Sequence, residues 1–504
     1  MRNVKIGWGM REISVSDPVS LPGQVYMRIS RGIHDPTYAT ALCIDGGEGQ
    51  DTVVFCACDR EGFYEGIVEK VEAAVRTARP EIPDGCIILN CTHTHAGAEI
   101  RDTEPTTPDG QPIYPGSKYR AFFIQMCTEA ICEAWDTRAE GGIAYGYGYA
   151  VVGHSRRVVY TEDAFEMKPG SVAPNGYCTM YGNTNDQTFS HYEAGADHFL
   201  NLMYTFDAGS KLTGILINTP CPSQLSEHFC QMSSDFWHEV REAVKKEYGE
   251  NVRILPQAAA AGDLSPRILH YKEAQVRRMT LKYGLSYDPK RTGEHGQDEY
   301  NKVMAERYDI AERIMNSVRE VYGWAKKDIR RELPVHNACK TVSLARRMVS
   351  EEEKDWCQST LDFYEQNPLD PDQMTPEEYR KMVSSRGFIG ARNRLALKRW
   401  EDQKTQPTLD YRIHVVQIGD IAFASNPFEL FQDFMHRLQA RSPFIQTFVV
   451  QMAGGDNAGY LATERGAHNR GYSASVFCNK VSAPGGQQLV EQTLETLKEL
   501  KNRD

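Results

Sequence analysis

The chain has 504 residues, with 57 Lys plus Arg against 68 Asp plus Glu and a formal net charge of −11. Its basic residues are dispersed through acidic helical stretches such as 351–354 and 377–381, which excludes the basic face or stripe on which a nucleic-acid binder relies. Hydrophobic residues at 41%, charged at 25% and aromatic at 10% place it among globular chains with a large core, far from disordered or coiled-coil classes.

Thirteen cysteines, scattered from Cys43 to Cys478 without a CxxC pair, fit buried reduced thiols better than a disulfide framework. No apolar run reaches the roughly 18 to 20 residues of a membrane span. Residues 1–15 have a basic start but no apolar signal-peptide region, so with Met1 as natural start a cytoplasmic location is expected.

Apolar runs rich in β-formers recur at 38–44, 52–58, 86–91, 199–206, 213–218 and 253–260. Several are nearly continuous rather than alternating, as strands buried on both faces are. Between them, 63–78 places Ile67, Val68, Val71 and Val75 on one helical stripe, and 119–135 does so with Phe122, Met126 and Ile131. Alternating strands and helices predict an α/β fold around a central mixed sheet. The region 268–404 is mostly charged and helical, broken at 367–371 by a Pro/Asp loop. It reads as a helical insertion into a single domain spanning 1–504, serving as a solvated cover, a surface for a homo-oligomer, or a substrate lid. Strands resume at 411–418, 421–425 and 447–452, and an amphipathic helix at 487–501 closes the chain.

Four segments concentrate chemistry. ILNCTHTHAGAE places His93 and His95 just after an apolar strand, two apart and on one side, which suits a metal ligand beside a proton carrier or a satisfied structural pair. QAAAAGDLSPR ends a small-residue run in Gly262, Asp263 and Ser265, where backbone approaches something closely and Ser265 sits at a turn before a Pro-started helix; plain capping competes. ASNPFELF sets Glu429 at the close of a short strand, as a ligand or an ordinary first-turn carboxylate. QMAGGDNAGYLATERGAHNRGYSAS carries Tyr460 and Tyr472 twelve residues apart in a polar loop, either facing a site or plugging the loop.

Together these segments resemble the neutral, non-lysosomal ceramidases and their bacterial relatives, whose THTHSGPGG-like, GDVSPN-like, PGE-type and GYxxT motifs have counterparts here in the same order. The resemblance runs from about Lys5 to about Ser475 and includes IGWGMREIS and RGIHDPTYATALCI. It implies zinc, or another divalent metal, held by His93, Glu429 and Tyr460. It further implies His95 as proton-handling histidine, Ser265 as catalytic serine, Tyr472 as carbonyl contact, and Arg156, or else Arg157, as active-site arginine.

Three departures shape the expectation. The family's second ligating histidine has no counterpart in NTPCPSQLSEH, where counting places Pro222, Ser223 or Cys221 in its slot; Cys221, Gln224, Glu227 and His228 are the candidates for a fourth ligand or for substrate contact. The sequence ends about thirty residues after Tyr472, so the resemblance covers the catalytic domain without the family's immunoglobulin-like C-terminal domain. No export signal or long apolar segment points to a bilayer.

The expected activity is hydrolysis of an amide-type bond in a small polar metabolite, by metal-bound hydroxide with His95 shuttling a proton. Rival readings keep the fold and metal but act as hydrolase or lyase on a glycoside-derived compound, or make the chain a non-catalytic binding relative.

Overall fold

A computed structural model describes residues 3–163, 168–173, 176–289 and 296–503. Met1, on which the compartment expectation rests, lies outside them, as do residues 290–295 of the expected insertion.

The main sheet has eight strands, in the order Arg253–Ala258, Leu212–Thr219, Phe199–Asp207, Ala139–Tyr149, Lys5–Glu12, Tyr38–Asp45, Thr52–Cys58, Ile87–Cys91. It is mixed: the outermost pair at each edge is parallel and the interior pairs are antiparallel. Each parallel pair is joined through one helix, Ile67–Ala78 or Trp237–Tyr248. A second sheet of four strands, Val335–Ala345, Thr408–Ile418, Ile421–Ser425 and Gln446–Val450, packs against its inner face.

The layers explain the continuous apolar runs. In Thr52–Cys58, Val53, Phe55 and Ala57 face the second sheet, and Phe55 packs on Phe423 with ring centroids 4.9 Å apart. The alternate residues Val54, Cys56 and Cys58 face helices Ile67–Ala78 and Gly116–Asp136. Both faces are dry, so both sets are apolar, each fully buried Val or Phe contributing about 1.5 to 3 kcal/mol. Helices Gln432–Arg441 and Ala483–Lys501 cover the outside of the second sheet, giving four layers, helix–sheet–sheet–helix.

Several details differ from expectation. The stripe of Gly116–Asp136 runs through Tyr119, Phe123, Cys127, Ile131 and Ala134, leaving Phe122 and Met126 half-buried: the helix starts earlier and its face is turned by about one residue. Strand Ala139–Tyr149 joins the two halves of the sheet but is rich in glycine, which masks it in the sequence. A Cβ at Gly146 would stand 2.2 Å from the Trp324 ring, so glycine lets helix Gln297–Ala325 lie on the sheet.

The region 268–404 is mainly helical and holds one long strand. Helix Gln297–Ala325 packs on the outer face of the main sheet through Ile310, Ile314, Val318 and Val321. Strand Val335–Ala345 pairs along its full length with Thr408–Ile418; Val335 is buried toward the main sheet and Val342 and Leu344 toward the opposite side, with half-buried or exposed residues between, so its sequence lacks a continuous apolar run. Helices Glu351–Gln366 and Pro376–Asp402, started by the capping boxes Ser350/Glu353 and Thr375/Glu378, form a separate pair. All thirteen cysteines are free and all but the exposed Cys339 are buried.

The two edges of the main sheet are brought together by one segment. Beyond strand Gln446–Val450, Gln451 N donates to Ala258 O at one edge while Ala453 bridges Asn90 at the other, and Asn90 Nδ2 reaches Pro256 O at 3.0 Å. This gathers the C-terminal ends of six parallel-paired strands at one end of the domain, the place where α/β sheets bind ligands.

Candidate active site

Five of those strand ends deliver a side chain predicted to matter. Ile87–Cys91 runs into His93 and His95, Leu212–Thr219 into Gln224 and Glu227, Arg253–Ala258 into Gly262 and Ser265, Ile421–Ser425 into Glu429, and Gln446–Val450 into Tyr460. Glu429 and Tyr460 are placed with unusual economy. Glu429–Leu430 and Tyr460–Leu461 form a two-stranded parallel ladder in which the two residues are direct partners. Gly262 supports the ladder from below: its N–H donates to Leu430 O, and a Cβ there would lie 2.4 Å from Glu429 O. The small-residue run before Asp263 is explained by this approach.

His93 adopts φ 62°, left-handed backbone that is uncommon for a residue with a side chain. Its Nδ1 lies 2.7 Å from Glu61 O, which accepts the Nδ1 proton and turns Nε2 toward Glu429. That Nε2 is 3.5 Å from Glu429 Oε2 and 3.4 Å from His95 Nε2. His95 is fixed in the same tautomer, its Nδ1 lying 3.0 Å from Glu227 Oε2. Gln224 settles its other nitrogen: Oε1 accepts from Arg156 and Tyr181, so the amide Nε2 donates to His95 Nε2 at 2.8 Å.

With Nδ1 carrying the proton in both rings, the lone pair of His95 Nε2 is filled by Gln224, and His93 Nε2 and Glu429 Oε2 face each other at 3.5 Å without a donor between them. Two acceptors so arranged repel unless a proton or a cation joins them, and an imidazole and a carboxylate with a phenol alongside are a donor set that a divalent cation can take. The phenol of Tyr460 adjoins, accepting from Arg156 Nη2 at 3.2 Å.

Electrostatics follow burial. Burial pushes His95 down to about 4, against the pull of Glu227, so the ring is neutral. Burial also opposes ionisation of Glu227, but the charge of Arg267, 2.5 Å away, and the His95 hydrogen bond hold its carboxyl well below the usual range. Burial raises the Tyr460 and Tyr472 phenols, with Glu429 adding to the effect and Arg156 opposing it at Tyr460. A cleft of about 340 Å³ opens on His95, Arg156, Tyr181, Gln224, Tyr460 and Tyr472.

No protein-family model and no curated protein matches this sequence. Solved structures do match in fold. A ceramidase complexed with C2 superposes with a TM-score of 0.67 over 100% of this chain and 76% of its own, at 14% identity. The neutral ceramidase from Pseudomonas aeruginosa gives 0.66 over 100% and 75%, also at 14% identity. The chain has a neutral ceramidase-like fold.

Within that ceramidase-like fold, the remaining predicted residues separate. Arg156 is the arginine at the site, buried, donating to Gly262 O and Tyr460 and lying over the Tyr181 ring. Arg157 points away into a buried ion pair with Glu193 at 2.6 Å. Tyr472 lines the cleft with its ring 6.3 Å from that of Tyr460, and Arg392 of helix Pro376–Asp402 lies against it.

Cys221 is a core residue: its thiol turns to Pro222 O at 3.4 Å, and the side chain packs among Val152, Leu225 and Ile217. His228 faces a neighbouring cavity, with Nε2 3.7 Å from Glu227 Oε1. Ser265 is fully buried and its Oγ accepts Arg267 N–H at 3.2 Å. The Pro-started helix expected after it does not form; a turn follows, and the next helix begins at Lys272.

Tyr181, Arg267 and Gln24, whose amide reaches Glu227 Oε2 at 2.8 Å, complete the ring around His95 and are not singled out by the sequence. A glycine offers a trace of that loop: at Gly23, φ 99°, a Cβ would meet the His95 ring at 2.4 Å. Elsewhere the thiols of Cys56, Cys58 and Cys127 lie within 4.8 Å of one another, deep in the core beneath the main sheet.

Proposed function

We propose that the protein is a metal-dependent hydrolase of an amide-type bond in a small polar substrate. The observation that carries this reading is the approach of His93 Nε2 to Glu429 Oε2 at 3.5 Å, with His95 and the Tyr460 phenol beside them, next to a cleft lined by His95, Arg156 and three tyrosines. His93, Glu429 and Tyr460 would hold a divalent cation, which when bound polarises a carbonyl and lowers the pKa of water.

The chain's own groups supply the rest. Arg156, Tyr181 and Tyr472 present donors where a tetrahedral oxyanion would grow, preorganised by burial. His95, kept neutral, accepts a proton at Nε2 as Gln224 yields its contact, and passes it to the departing amine; Glu227 on Nδ1 stabilises the imidazolium meanwhile. Ser265 acts through the turn that positions Arg267, and Cys221 stays outside the ligand set.

The test is elemental analysis of the purified chain, then a screen of polar N-acyl compounds for released amine, with and without chelator. About one zinc or other divalent ion per chain, and amine release abolished by chelator, are expected. Less than about 0.3 ion per chain after metal supplementation would reduce His93 and Glu429 to an ordinary ion pair and overturn the reading.

A further inference from the structure

Beyond Tyr181 lies a second chamber of about 230 Å³, lined by His228, Arg267, Leu269, Tyr287, Lys302 and Glu306. Tyr181 lines both this chamber and the reactive cleft, and Arg156 and Arg267 lie over its ring at 5.8 and 5.9 Å. The two spaces share one wall, and each lies at or near the lower end of the range typical of small-molecule sites, about 300 to 1,000 Å³.

The chamber contains polar atoms that the fold does not answer. Glu306 is 7% exposed, yet its Oε2 is buried without a hydrogen-bond partner, and so is Nδ1 of His228. Burial raises the Glu306 carboxyl, Lys302 and Arg267 opposing, so it is not saturated by an ion pair. A buried unpaired polar atom costs roughly 1 to 3 kcal/mol, which a ligand recovers by pairing it.

The chemistry of the ligand follows from what lines the space. Three cations, Arg267, Lys272 and Lys302, against two carboxylates, Glu299 and Glu306, leave the lining close to neutral and favour neither a phosphate nor an ammonium. A hydroxyl both donates and accepts, so a polyol answers the carboxyl oxygen and the imidazole nitrogen alike. Tyr287, buried beside them, offers an aromatic edge or face to a ring. The chamber continues past Leu269 and Lys272 into an outer groove carrying Phe189, Tyr192 and the 75% exposed Tyr271, aromatic surface in a polar setting.

We propose that this chamber binds a sugar ring of the substrate, held by Glu306 and His228 against Tyr287, while the acyl-amide group lies at His93 beyond Tyr181. The proposal rests on the hydrolase reading for the reactive end, and names the substrate as a glycosylated or sugar-derived amide.

Ligand-observed saturation-transfer NMR on the full chain tests it, with methyl glucoside and N-acetylglucosamine as probes and inorganic phosphate and butylammonium as charged counterparts. Saturable sugar binding is expected, weakened about fivefold or more by Glu306→Met and by Tyr287→Ala and unchanged by His93→Ala. Circular dichroism and thermal midpoints verify folding; Glu306→Met, which keeps the side-chain length, carries the test if Tyr287→Ala unfolds. Absence of sugar binding, binding indifferent to Glu306→Met, preference for phosphate or butylammonium, or loss of sugar binding in His93→Ala would overturn it. Because sugar binding needs no metal, a metal-free chain that binds sugar fails only the hydrolase reading. A metal-loaded amidase that does not bind sugar fails only this proposal.

Discussion

Glu429 and Tyr460 face each other as direct partners in a ladder only two residues long, thirty-one positions apart in sequence. The ladder is fixed by Glu429 N–H on Gly459 O at 2.9 Å and by Phe431 N–H on Leu461 O at 3.2 Å. A carboxylate and a phenol are thereby aimed at one point by backbone hydrogen bonds, and His93 meets them from the edge of the other sheet.

That convergence predicts the metal phenotypes. His93→Ala and Glu429→Ala should each abolish metal binding and activity together, while Ser265→Ala keeps about one ion per chain, since its hydroxyl only accepts Arg267 N–H. Elemental analysis alongside turnover decides; loss of metal in Ser265→Ala would mean that Ser265 belongs to the ligand set.

Cys221→Ser should leave metal affinity within about twofold of wild type. The thiol points to Pro222 O and packs in an apolar cluster, so the cost appears in stability, about 1 to 2 kcal/mol for a hydroxyl placed there. A chelator competition series and a urea melt separate the two effects, and a tenfold fall in affinity would restore Cys221 as a ligand.

Gly262→Ala should damage the site from outside it. Its Cβ would meet Glu429 O at 2.4 Å, and backbone yields less readily than a side-chain tip. The expected result is metal affinity reduced about tenfold or more in a folded protein; unchanged affinity would show that the ladder tolerates displacement.

Asp263 supplies a pH signature. Burial raises its carboxyl to about 6, against the hydrogen bond from Gln432 N–H, so the native state holds a proton that the unfolded chain has lost. The stability from that proton is full below the unfolded value near 3.8 and is lost as pH rises through about 6. Asp263→Asn, which keeps an acceptor for Gln432, should remove this slope and at pH 7 stabilise the protein by up to about 3 kcal/mol. Urea midpoints of both proteins from pH 4 to 7 check it; parallel curves would place the carboxyl elsewhere on the scale.

The sequence alone determined the class of fold and most of its strands, because strands buried on both faces need apolar residues at every position, as 52–58 has. It also marked His93, His95, Glu429, Tyr460 and Tyr472, whose residue types and spacing stand out against their segments. What it left undecided depends on packing between distant segments. Strand Ala139–Tyr149 is hidden because its glycines answer to distant segments, Gly146 to Trp324 and Gly148 to Ser317 on a helix far along the chain. The choice among Cys221, Gln224, Glu227 and His228 turned on which way one loop faces: Gln224 and Glu227 meet His95, Cys221 meets the core, and His228 meets the next chamber. Local pattern reports whether a residue is buried; only the tertiary structure decides what it is buried against.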